Sequence, residues 1–172
     1  MRGIAPAPGG VTRRKLLRGG PHGVAVLRPP WAIHESAFTD ACTGCGDCVR
    51  ACPEQVLVQG GGGLPVFDPL RGECSFCGDC APSCDARLFR AIEQRPWTLR
   101  AQVGQDCLAT RGVVCSSCRD ACATSAIRFA PSRAVAAPEV LSERCTGCGA
   151  CVAGCPAGAL SLSAISEEAM NA

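Results

Sequence analysis

Cys42-Thr43-Gly44-Cys45-Gly46-Asp47-Cys48-Val49-Arg50-Ala51-Cys52-Pro53 decides the fold of this chain, because its cysteines follow the spacing C-x2-C-x2-C-x3-C. The same spacing returns at Cys74, Cys77, Cys80 and Cys84, and again at Cys145, Cys148, Cys151 and Cys155. A further group, Cys107, Cys115, Cys118 and Cys122, keeps the pattern but stretches its first gap to seven residues. These four groups use all 16 cysteines of the chain. A short looping segment with this spacing can turn three thiolates onto three corners of one [4Fe–4S] cubane, while the fourth lies farther along the chain.

Bacterial ferredoxins hold their clusters by this run, and in the two-cluster members the fourth thiolate crosses to the neighbouring cluster. Two other uses of cysteine fit worse. Disulfides belong to oxidising compartments, and the chain carries no usable secretory signal. Structural zinc takes four tetrahedral ligands, often two C-x2-C pairs, and overlapping triplets of close cysteines suit it badly. The sequence therefore points to [4Fe–4S] clusters, four if every group is filled, with the cysteines binding iron directly.

The repeat spacing suggests how the groups pair. Measured from the second cysteine of each group, the offsets are 32, 38 and 33 residues. The two near-equal offsets pair group one with two and group three with four. Cys52 then completes the cluster of group two and Cys84 that of group one. Closure within each group, or pairing one with four and two with three, remains open at this level. The expected organisation is a basic tail over 1–30, a module over 31–89, a connector over 90–106, a second module over 107–165 and a short tail over 166–172.

Between paired groups the chain has hairpin character. Val56-Leu57-Val58, the glycines 60–63 and Pro65-Val66-Phe67 read as strand, turn and strand. Ile127-Arg128-Phe129 and Pro138-Glu139-Val140 play the same parts around Pro131-Ser132. A short helix is expected to begin between the third and fourth cysteine of each group. The connector, containing Pro96 and Trp97, has no clear helical period. The fold class is α+β: tandem bacterial-type ferredoxin-like modules, each built around two clusters.

Composition agrees with a metal-built core. The chain has 172 residues, 4% aromatics and no tyrosine, thin material for a conventional core. Metal binding contributes folding free energy directly in small metallodomains, so the apo chain is expected to be largely unfolded. Residues 1–30 carry Arg2, Arg13, Arg14, Lys15, Arg18 and Arg28 with no acid, while the remainder has a formal charge of −4. A mildly acidic body argues against general nucleic-acid binding, which wants a basic folded face. Arg13-Arg14 looks like a twin-arginine export signal, but the best apolar run after it is Val24 to Leu27. Four residues cannot serve as the apolar stretch of such a signal, and nothing approaches the roughly 18 residues of a membrane span. A cytoplasmic location without a membrane span is expected.

The groups are not equal. Groups one and four are close copies with Gly44, Gly46, Gly147 and Gly149 in the ligand loop, where glycine allows unusual backbone angles. Group two has Phe76 beside Gly78 and ends Cys84-Asp85 without the proline. Group three has no loop glycine at that position, ends Cys122-Ala123 and is the least certain site, either closed by Cys107 through a longer loop or incomplete. His22 and His34 stand outside the groups and read as surface residues, and Trp31 and Trp97 read as packing residues that cap the modules. No nucleophile–base set, dinucleotide fingerprint or phosphate loop is present. The chain is therefore not expected to be an enzyme in its own right.

With these residues laid out, the chain resembles the NapF family, ferredoxin-type accessory proteins of the periplasmic nitrate reductase system. The resemblance runs from the Arg13-Arg14…Leu17…Gly19 head through Arg28-Pro29-Pro30-Trp31, Glu35 and Phe38. It continues through Glu73-Cys74-Ser75-Phe76-Cys77 and Asp106-Cys107-Leu108-Ala109 to the closing group, roughly residues 12 to 162. It implies a protein acting in the cytoplasm on the precursor of the nitrate reductase catalytic subunit, a client with its own [4Fe–4S] cluster and a molybdenum cofactor. Client binding with supply of electrons or iron–sulfur equivalents is then the expected role, with redox donors as further partners. A plain electron-carrying polyferredoxin is the alternative. The Arg28 to Trp31 segment and the hairpins are the expected client contacts.

Overall fold

The computed structural model describes residues 26–132 and 134–165. The expectations placed on the double arginine, on His22 and on the 166–172 tail fall outside them. The described chain forms two ferredoxin-like modules of short strands and short helices, in keeping with the α+β expectation.

Module one begins where the Trp31–Ile33 main chain lies against Leu88–Arg90, through Ile33 N–H to Leu88 O at 3.0 Å and Arg90 N–H to Trp31 O at 2.7 Å. Helix α1 (Glu35–Ala41) follows and buries Phe38. Helix α2 (Asp47–Arg50) carries the buried Cys48. Strands β1 (Leu57–Gln59) and β2 (Pro65–Phe67) pair antiparallel with Leu57 opposite Phe67, joined through a glycine turn at Gly61–Gly63. Alternation puts Leu57 and Phe67 on one face of this hairpin, and both are buried.

Module two repeats the plan with different materials. Strand β3 (Leu99–Val103) pairs antiparallel with β6 (Leu160–Ala164), Leu99 opposite Ala164 and Val103 opposite Leu160. Helices α3 (Ser117–Asp120) and α4 (Ala150–Ala153) carry the buried Cys118 and Cys151. Strands β4 (Ile127–Phe129) and β5 (Pro138–Val140) form the hairpin. Among the described residues no helix is long and apolar enough to cross a membrane.

Three expectations change. The segment read as a connector contains β3, which the sequence concealed because Leu99-Arg100-Ala101-Gln102-Val103 is buried over its first three residues and so does not alternate. The tail does not extend to residue 30, because Leu27 O accepts from Phe67 N–H at 2.7 Å and Arg28 binds both Glu35, at 2.7 Å, and Pro65 O, at 2.9 Å. The expected helix after Cys80 is replaced by successive turns over 79–83, where Pro82 can neither donate a helical hydrogen bond nor let the preceding residue settle in the helical region.

The modules meet through aromatic side chains. Trp97 packs on Phe67 at 5.0 Å between ring centroids and edge-on to Phe76 at 5.6 Å, and its indole N–H donates to Thr146 O at 2.8 Å. Gly149 lies so close to module one that a Cβ there would meet Gly72 O, Phe67 and Pro69, each at 3.1 Å.

Candidate iron–sulfur centres

The sixteen cysteines assemble into four sets of four thiols, each made of three from one group and one from its pair. Cys52 joins Cys74, Cys77 and Cys80 around one small cavity. Cys155 joins Cys107, Cys115 and Cys118 around a second, and Cys122 joins Cys145, Cys148 and Cys151 around a third. Cys42, Cys45 and Cys84 are the thiols left for the fourth set, and all three lie near enough to Cys48 to act on it electrostatically. We number the sites by the group that supplies three ligands. The fourth thiol crosses in both modules, and this arrangement differs from closure within a group and from pairing one with four.

The local backbone explains how each loop presents its thiols. Gly44 and Gly147 turn at φ +72° and +75°, Gly46 and Gly149 at +78° and +97°, all in the left-handed region that glycine occupies without penalty. Group two places Phe76 where group one has Gly44, and Phe76 adopts the same turn at φ 56°. A side chain there costs roughly 1–2 kcal/mol of backbone strain. The Phe76 ring offsets part of this by packing edge-on to both Trp31 and Trp97.

A second turn recurs after every fourth cysteine. Gln55, Arg87, Ser125 and Gly158, each three residues beyond its cysteine, have φ between 50° and 58°. In each case the N–H of that residue donates to the carbonyl of the cysteine, at 3.0 to 3.2 Å. The next residue, Val56, Leu88, Ala126 or Ala159, enters the core. Because the turn is the same in all four groups, the missing prolines at Asp85 and Ala123 leave it intact. The sequence reading passed over this turn, whose only trace is a buried apolar residue four positions after each closing cysteine.

The long gap of group three is closed by its own hydrogen bonds. Thr110 Oγ1 donates to Cys107 O at 2.7 Å, Val113 N–H donates to Leu108 O at 2.9 Å, and Arg111 pairs with Asp106 at 2.9 Å. Ala109 is buried beneath this loop. Cys107 therefore reaches the site through a defined turn.

The donor chemistry fits [4Fe–4S] clusters. Burial, reinforced by neighbouring thiols, pushes Cys48 up to about 11, Cys80 up to about 12 and Cys151 up to about 12. Burial likewise raises Cys74 to about 11 and raises Cys118. At Cys122 burial is outweighed by hydrogen bonds from Thr124 and from the Ala126 backbone, and the thiol is lowered. Iron coordination deprotonates such thiols outright. Backbone donors already face several sulfurs: Phe76 N–H to Cys74 Sγ at 3.4 Å, Ala126 N–H to Cys122 Sγ at 3.2 Å and Ala159 N–H to Cys155 Sγ at 3.3 Å. Hydrogen bonds of this kind are among the groups that set cluster potentials. Among the described residues no three His, Cys, Asp or Glu side chains converge on one ion-sized point; a cubane, whose irons sit at separate corners, asks for no such convergence.

The other residues singled out from sequence fall where packing puts them. Trp31 is buried, its indole N–H donating to Gln94 O at 2.7 Å, so its ring is withdrawn from any client. This corrects the Arg28 to Trp31 segment as a contact surface, since Arg28 is also engaged. His34 is exposed and hydrogen-bonds Ser36 at 3.1 Å. Arg100, which the sequence reading did not single out, is buried with its guanidinium donating to Ser142 O at 2.6 Å and Leu99 O at 2.7 Å.

Comparison with known proteins agrees with this architecture. Residues 41–89 and 113–159 each match the pattern of a 4Fe-4S dicluster domain. The chain is 41% identical over 147 residues to the ferredoxin-type protein NapF of Escherichia coli (strain K12), an alignment covering 85% of this chain and 87% of that protein. It is also 41% identical to the ferredoxin-type protein NapF of Haemophilus influenzae, over 83% of this chain and 81% of that protein. A methylamine utilization ferredoxin-type protein, MauM of Methylorubrum extorquens, is 33% identical over 83% of this chain and 73% of its own length. With the cluster domains in both halves and this identity along most of its length, the chain belongs to the NapF family of iron–sulfur ferredoxin-type proteins.

Proposed function

We propose that the chain binds four [4Fe–4S] clusters through the four crossed thiol sets, all sixteen cysteines serving as ligands. It acts in the cytoplasm on the precursor of the periplasmic nitrate reductase catalytic subunit, binding this client and supplying electrons or iron–sulfur equivalents before export. The crossed three-plus-one thiol arrangement supports the cluster assignment, and kinship with NapF supports the client. An immature client exposes thiolates and an empty site, to which an iron–sulfur protein can bind or donate, and a mature client offers neither.

The test is a pull-down with the holoprotein as bait against cofactor-free and mature catalytic subunit. Retention of the cofactor-free form alone is expected. Equal retention of both, or of neither, favours the second reading, a polyferredoxin that carries electrons between a donor and an acceptor. Kinship with a protein named for methylamine utilization favours that reading, because relatives named for different systems share the clusters rather than the client.

A further inference from the structure

We propose that the four sites form a single electron relay whose spatial order is one, two, four, three, with the step between modules made where the ligand loops of Cys74 and Cys148 meet. The proposal rests on occupancy of all four sites and is independent of the client.

Within each module the crossed fourth cysteine already ties two sites together. Cys48 of site one lies near Cys80 of site two, and Cys118 of site three lies near Cys151 of site four. The decisive contact is between modules. Cys74 N–H donates to Cys148 O at 2.8 Å, so a ligand of site two is hydrogen-bonded through its main chain to a ligand of site four. Trp97 fastens the same joint. Its indole N–H holds Thr146, inside the site-four loop, while its ring packs on Phe76, next to Cys77 of site two. Gly149 on the site-four loop makes the close approach to Gly72, Phe67 and Pro69 described above. Sites two and four therefore face each other at the joint, and sites one and three are the ends.

Tunnelling falls off exponentially with distance, so the order of sites decides the path. Clusters held by these thiol sets would supply one-electron steps, one being oxidised as its neighbour is reduced, with no bond made or broken and no proton moved. The first electron comes from a low-potential one-electron donor, and the last leaves to a one-electron acceptor. Cys45 of site one is exposed, and over site three the loop between Cys107 and Cys115 exposes Val113 and Val114.

Two variants of the full-length, anaerobically reconstituted protein test the order. Cys42→Ala, Cys45→Ala, Cys107→Ala and Cys115→Ala together empty sites one and three. Cys74→Ala, Cys77→Ala, Cys145→Ala and Cys148→Ala together empty sites two and four. Each variant should retain about 8 iron atoms. After reduction with dithionite, the first variant is expected to give an electron paramagnetic resonance spectrum split by coupling between its two clusters. The second should give two isolated signals. Coupling in the second variant and none in the first overturns the order. Iron well below the expected value reports on occupancy instead, and an anaerobic crystal structure of the wild-type holoprotein then decides. There, sites two and four nearest each other across Cys74 and Cys148 uphold the relay, and site three nearest to site one or two overturns it.

Discussion

Modules one and two solve one problem with different materials. Module one closes its ends with a short main-chain contact, a helix and aromatic rings. Its Trp31–Ile33 segment meets Leu88–Arg90, and α1 carries Phe38 edge-on to Phe89 at 6.1 Å. Arg28 straps the entry by its ion pair with Glu35 and by lying 5.5 Å over the Phe38 ring. Among its described residues module two has no counterpart to α1. Its ends are held by the five-residue β3–β6 ladder, and the chain reaches Cys107 soon after β3 ends. The stretched gap of group three follows from this economy. The first ligand comes early, straight off a strand, and an internally bonded loop carries the chain on to the remaining three. Closure by side chains and closure by backbone ladder thus support the same crossed thiol pattern.

The sharpest way to break the comparison is to remove the metal from both modules. Anaerobic holoprotein should contain about 16 iron atoms, and a strong iron chelator should abolish the folded state of both halves, read as collapse of amide dispersion in NMR spectra. If module two keeps its dispersion, the β3–β6 ladder holds it without metal. Zinc in place of iron would end the cluster assignment.

Single ligands come next. Cys107→Ala and Cys42→Ala should each lower iron by up to about 4 atoms per chain, and the spectrum of the site sharing the crossed ligand should survive. Cys52→Ala should perturb site two rather than site one, which electron paramagnetic resonance of the reduced protein can distinguish. If site one disappears instead, the crossing is wrong.

Smaller effects test the closures themselves. Trp31→Ala removes a buried ring that holds Gln94 and Phe76, and should destabilise module one by about 3–5 kcal/mol, measured by anaerobic denaturant titration of the holoprotein. Module two, which lacks that ring, should unfold at an unchanged denaturant concentration. Replacement of Gly147 by alanine brings a Cβ to 2.5 Å from Leu99 O and should loosen β3, seen as faster amide exchange in the β3–β6 ladder. The smallest change is Gly158→Ala. Nothing lies within 4 Å of its Cβ position, so only the positive φ opposes it, at roughly 1 kcal/mol. Gln55, Arg87 and Ser125 already tolerate the same turn with a side chain.

The cysteine runs and both hairpins were legible in the sequence, because each rests on local spacing, whereas the repeat offsets favoured one pairing of the groups and left the others open. Val56 to Phe67 and Ile127 to Val140 announce themselves through short apolar runs around turn residues. Strand β3 did not, since a strand buried on both faces lacks the alternation that identifies one. The shared turn after each closing cysteine was also missed, because its left-handed residue is a glycine only at Gly158, and at Gln55, Arg87 and Ser125 the surrounding hydrogen bonds impose it. Group three read as weak because a seven-residue gap looks open in one dimension, whereas Thr110, Arg111 and Val113 close it in three.

The sequence by itself determined which donors this protein offers: sixteen thiols in four groups, three of them at one regular spacing and the fourth stretched only in its first gap. Those properties depend on residues within a few positions of one another. Only the tertiary structure decided which sites face each other, because the Cys74–Cys148 hydrogen bond joins residues from different modules that no periodicity relates. It also withdrew Trp31 into module one and set Trp97 at the joint. A tryptophan's place depends on which surfaces enclose it, and these come together only once both modules have folded.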